Sequence, residues 1–155
     1  YPVMIGSGTL HAVGYAMGIQ RDKAADPSVD AAVLDFHGEA TSEKMAVGHF
    51  CDGRASLVVG THTHVPTADA MILSRGTAYQ SDAGMCGDYD SVIGMKKEVS
   101  VARFVRKLPT EKMTPAENEA TVCGVFVETD DRTGLAVRAE AVRVGPRLAN
   151  HLPSI

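Results

Sequence analysis

His62 and His64 stand one residue apart, immediately after the apolar run at 55–60. In extended chain, residues i and i+2 project to the same side about 6.5–7 Å apart, so both imidazoles can face one pocket while Thr63 faces away. That spacing suits metal chemistry. Neutral imidazole is a favoured ligand of zinc, iron and manganese, and two metals about 3.5–4 Å apart can clamp a phosphate and activate a bridging water. Solvated histidines in a polar surface turn would show the same His-x-His spacing, so the elements around them carry the decision.

Residues 31–37, AAVLDFH, read as a buried strand of a parallel sheet ending in polar groups. Thr41 and Ser42 are good helix N-caps, Ala46 and Phe50 follow at i,i+4 spacing, and Gly53 suits a C-terminal stop, which predicts a helix over 41–53. Residues 55–60 form a second apolar run. Strand, helix and strand within about thirty residues make a right-handed βαβ unit, with both strands ending on the same edge. In open α/β sheets that carboxyl edge is where ligands bind. It would carry His37 from the first strand and His62 with His64 from the second. His11, His49 and His151 have no partner at ligand spacing and read as surface or terminal residues, and Cys86 has no adjacent base to make it a nucleophile.

A rival fold shares the motif. His62-x-His64-x4-Asp69-x6-Gly76 approximates the first metal motif of the cupin barrels, which hold a single metal. Against that reading, Ser56 stands where the motif wants glycine, no second motif follows, and residues 41–53 and 97–108 read as helices in place of a nearly all-β chain.

Residues 1–30 are punctuated by Gly6, Gly8, Gly14 and Gly18, and Asp26-Pro27-Ser28 reads as a turn, so little structure is assigned there. Residues 71–73 and 77–80 flank Ser74-Arg75-Gly76 as a hairpin. Val101, Phe104, Val105 and Leu108 recur at i, i+3, i+4, i+7, the pattern of an amphipathic surface helix. A terminal β-hairpin is expected from 122–128 and 135–144 around Asp130 to Gly134. The length of 155 residues, with 45% hydrophobic and 22% charged residues, fits one globular domain. No apolar run approaches the roughly 20 residues of a membrane span, and the start lacks a signal-peptide layout, so a cytoplasmic protein without a membrane partner is expected. A net charge of −4 argues against a dedicated nucleic-acid-binding surface. Cys51, Cys86 and Cys123 lie too far apart in sequence for a zinc knuckle or disulfide framework.

The stretches DFHGEATSEKMA (35–46), VVGTHTHVPTADAMIL (58–73) and GTAYQSDAGMCGDYDSVIGM (76–95) closely resemble the YmdB-like bacterial metallophosphoesterases, from about Ala31 into the C-terminal hairpin. The resemblance implies an α/β sandwich and a dinuclear phosphodiesterase that hydrolyses cyclic nucleotides such as 2′,3′-cyclic AMP with a metal-activated water. It implies two divalent or trivalent ions, iron or manganese, with His37 and His62 on one and His64 on the other. The usual alanine after the first histidine is Gly38 here, which loosens the backbone without removing a ligand. More seriously, the family's first half supplies an aspartate ligand, a bridging glutamate and an asparagine-histidine pair whose histidine is the general acid. Residues 1–30 contain no match to these. Residues 31–155 are therefore expected to be the C-terminal part of a metallophosphoesterase domain whose N-terminal half is missing, with the general acid unassigned. Little activity from this chain alone is expected, and self-association through apolar sheet surface left uncovered. A non-catalytic module binding metal or a partner is the alternative.

Overall fold

The computed structural model describes residues 31–107 and 111–154; His11, the turn expected at Asp26-Pro27-Ser28 and the helix position Leu108 lie outside them. Strand β1 (Val33–His37) leads through helix α1 (Thr41–Cys51) to strand β2 (Leu57–Thr61), and the two strands pair in parallel from Val33↔Leu57 to His37↔Thr61. Strand β3 (Met71–Ile72) and strand β4 (Ala78–Gln80) form the expected hairpin around Ser74-Arg75-Gly76, closed by Leu73 N–H donating to the Thr77 carbonyl at 2.8 Å. Gly76 turns there at φ +98°, where side chains are strained. Because β4 also pairs in parallel with β2, the sheet order is β1-β2-β4-β3. Helix α2 (Lys97–Arg106) and the antiparallel pair of strands β5 (Val122–Thr129) and β6 (Ala136–Val144) complete the described chain. This is an α/β arrangement with a mixed sheet, not the all-β barrel of a cupin. Ser56, at the position where the cupin motif wants glycine, accepts from Ala32 N–H at 3.0 Å and donates to the Gly134 carbonyl, tying the β5–β6 turn to the sheet.

The core lies between α1 and one face of the sheet, from Leu34, Phe36, Val47, Cys51, Ala55, Val58, Leu73 and Tyr79. Full burial of each large apolar side chain contributes roughly 1.5–3 kcal/mol. Four expectations change in detail. Helix α1 is entered through Ala40, whose carbonyl accepts from Glu43 and Lys44 N–H, so Thr41 and Ser42 lie inside the first turn and do not cap it. Its buried stripe is Lys44, Val47, Gly48 and Cys51, while Ala46 and Phe50 face outward, because Tyr79 of β4 packs directly over Gly48 and sets the rotation of the helix. Strand β1 is buried on one face only: Leu34 and Phe36 point to the core, and Val33, Asp35 and His37 are exposed. On α2, Val101, Phe104 and Val105 form the expected apolar stripe, but it is exposed, Phe104 by 77%.

Candidate metal centre

The parallel register places His37 beside Thr61 at the carboxyl edge, with His62 one residue beyond. The alternation that buries Phe36 puts Asp35 and His37 on the opposite, open face. There the Thr61 hydroxyl donates to Asp35 Oδ1 at 2.9 Å and contacts His37 Nδ1 at 3.1 Å. A hydroxyl has one proton to donate, so with that proton on the carboxylate it accepts from His37 Nδ1–H. Neutral His37 then carries its lone pair on Nε2. That nitrogen lies 3.0 Å from His62 Nδ1, the two rings meeting edge to face with centroids 4.9 Å apart. His62 Nε2 in turn lies 2.6 Å from Glu39 Oε2. Both side chains are open to solvent, so the contact adds little stability and its interest is positional.

His64 is placed differently. Its Nδ1 contacts the Ile93 carbonyl at 3.0 Å, and a carbonyl only accepts, so neutral His64 also has its lone pair on Nε2. The segment carrying the pair is not extended. Strand β2 ends at Thr61, and His62 and His64 both have positive φ, +121° and +65°, values that non-glycine residues adopt rarely. The structure thus brings His37 and His62 together and holds His64 on the 81–95 loop. Among the described residues no three His, Cys, Asp or Glu side chains form a ready-made metal cage.

His49 lies exposed in the last turn of α1, and His151, which contacts Glu140 Oε2 at 2.9 Å, lies exposed beside β6, both surface residues as expected. Asp69 turns back to accept from Ser81 N–H at 3.1 Å. Burial pushes its carboxyl pKa up, but hydrogen bonds from Thr67 and Ser81 outweigh this and leave it below the ordinary value. Sequence reasoning missed Thr61 as the partner of His37 and Asp35 as the carboxylate that takes the Thr61 proton. The signal was present as Asp-x-His on one strand opposite a threonine on the next.

A βαβ unit with histidines gathered at the carboxyl edge of a parallel strand pair defines an α/β protein with an edge site. The chain belongs to the YmdB-like protein family, whose model matches residues 15–142. It is similar to the 2′,3′-cyclic-nucleotide 2′-phosphodiesterase of Bacillus subtilis (strain 168), with 52% identity over 72% of this chain and 42% of that protein. Among solved structures it resembles a hypothetical protein from Thermus thermophilus, at TM-score 0.72 and 38% identity, over 84% of this chain and 50% of that one. It also resembles a novel phosphatase from Mycoplasma pneumoniae, at TM-score 0.75 and 36% identity, over 86% of this chain and 46% of that one. The chain therefore spans about half the length of these relatives, or somewhat less. Among the described residues no helix is long and apolar enough to cross a membrane.

Proposed function

We propose that this chain supplies the imidazole side of a metal-dependent phosphodiesterase acting on cyclic nucleotides such as 2′,3′-cyclic AMP. The observation that supports it is the hydrogen-bond pinning of His37 and His64, each held through Nδ1 so that Nε2 offers a lone pair. The donor set fits a cation: His37 Nε2 and His62 Nδ1 are 3.0 Å apart, close to the about 3 Å between neighbouring ligand atoms when metal–nitrogen bonds are near 2.0–2.1 Å. His37 and His62 would hold one ion and His64 a second, and iron or manganese suits nitrogen donors mixed with carboxylate oxygen. Ions bound there would supply charge neutralisation for the phosphate and a water acidic enough to ionise near neutral pH. The protein's own contribution is orientation. Thr61 with Asp35 holds the His37 ring, Ile93 holds His64, and Glu39 lies behind the ring nitrogen of His62 that faces away from His37, the carboxylate–histidine arrangement that raises ligand basicity.

The reading is tested by metal analysis after gel filtration. His37→Ala, His62→Ala and His64→Ala should each bind far less metal than the unmodified chain, while His49→Ala and His151→Ala should bind as it does. Equal metal content in all five variants would overturn the assignment. With manganese added, the 155-residue chain alone should hydrolyse 2′,3′-cyclic AMP and bis-p-nitrophenyl phosphate weakly, since no general acid is assigned among the described residues and the loss of one costs about 10²–10⁴ in rate. Robust, chelator-sensitive turnover would show that the chain carries ligands and an acid beyond those assigned.

A further inference from the structure

Lys44 and Asp82 belong to none of the proposed ligands, yet they form a buried ion pair, Nζ to Oδ2 at 3.1 Å, with side chains 3% and 2% exposed. The same carboxylate oxygen accepts Thr63 N–H at 2.8 Å, and Oδ1 accepts Gly84 N–H at 2.9 Å. The Asp82 carbonyl accepts Thr67 N–H at 3.0 Å. One residue thus grips the 62–67 loop twice, through its side chain at Thr63 and through its backbone at Thr67. Thr63 is the residue between the two positive-φ histidines. The approach to the loop is equally tight, since a Cβ on Gly60 would meet the Ser81 carbonyl oxygen at 1.8 Å and Lys44 Cδ at 2.9 Å.

A buried ion pair seldom adds net stability over a well-packed apolar pair, because desolvating two charges offsets their attraction. An apolar residue, however, could not hold two main-chain N–H groups. We propose that Lys44 and Asp82 are a positioning pair for His62 and His64: the Asp82 carboxylate captures Thr63 N–H and so fixes both flanking histidines, while Lys44, anchored on α1, holds that carboxylate in place. The consequence for metal affinity rests on the proposed function, whereas the loop geometry does not.

Hydrogen exchange on the unmodified 155-residue chain separates the two. Thr63 is an exposed residue, so its amide should exchange fast unless Asp82 holds it; the expectation is exchange at least tenfold slower than that of an unprotected amide. In Asp82→Ala and Lys44→Met, Thr63 should exchange at least tenfold faster than in the unmodified chain while core amides keep their protection, and manganese affinity by calorimetry should fall roughly 10–100-fold. Exchange of Thr63 at the unprotected rate in the unmodified chain would overturn the proposal, whatever the variants do. So would a folded Asp82→Ala chain that protects Thr63 and binds manganese as the unmodified chain does. If the unmodified chain binds no manganese, the metal reading fails and Thr63 exchange still decides the positioning role.

Discussion

Which nitrogen of an imidazole carries the proton is decided by its other hydrogen bond, and for His37 that decision runs through one hydroxyl. Thr61 can give its single proton to Asp35 only if it accepts from His37, which leaves the lone pair on His37 Nε2, the nitrogen that faces His62 Nδ1. Thr61→Val keeps the β-branched shape and removes the hydroxyl. His37 should then lose its tautomer preference and, on the proposal that His37 ligates a metal, manganese affinity should fall about 10–100-fold, the usual cost of removing an outer partner of a ligand histidine. Thr61 lies at a strand end and is not fully buried, so stability should change by no more than about 0.5 kcal/mol. Thr61→Ser should retain both affinity and tautomer. Imidazole nitrogen shifts in the metal-free chain and calorimetric titration check the two halves separately, and a valine variant binding as tightly as the serine variant would remove the relay from the account.

Helix α1 shows how tertiary packing overrides local preference. An alanine in place of Gly48 should gain about 1 kcal/mol of helix propensity. Its Cβ, though, would lie 2.6 Å from Cδ2 of the buried Tyr79 ring, and overpacking of that kind costs typically about 1–3 kcal/mol. The clash should win, and Gly48→Ala should lower the denaturant midpoint; a raised midpoint would show that the helix slides freely on the sheet. The strand–helix–strand order was legible in the sequence because apolar runs of strand length bracket a polar segment, and the shared edge followed from the handedness of the crossover. The rotation of α1 was not, since its buried stripe includes a lysine whose partner, Asp82, is 38 residues away. The same distance effect hid the shape of the histidine segment. His62-x-His64 reads as extended chain, but Asp82, 19 residues from Thr63, captures the intervening amide and bends it. Hydrophobic periodicity carries no trace of a long-range polar contact, so the sequence pattern indicated the nearness of His37 and His62 but neither the backbone of the segment nor the separate position of His64 against Ile93.

At the scale of the whole molecule, Tyr79 joins the parts: its ring belongs to the core, packs on α1 through Gly48, and sits on β4 next to the residues that lead to Asp82. Its hydroxyl is buried without a hydrogen-bond partner among the described residues. Burial, with the charge of Asp69, pushes its pKa up to about 12. The folded chain therefore retains a proton that the unfolded chain gives up near pH 10. A folded pKa raised above the unfolded value means that stability is intact below about pH 10 and is lost as pH rises from there towards 12. Tyr79→Phe keeps the ring and deletes the group that has no partner. Burying an unpaired hydroxyl costs about 1–3 kcal/mol in proteins, so the variant should be at least as stable at pH 7 and up to roughly 1–2 kcal/mol more so. Because phenylalanine has no proton to lose, its advantage should widen between pH 10 and 11. Denaturant midpoints of both chains at pH 7, 10 and 11 test this, and a lower midpoint for Tyr79→Phe at pH 7 would mean that the hydroxyl makes a stabilising hydrogen bond.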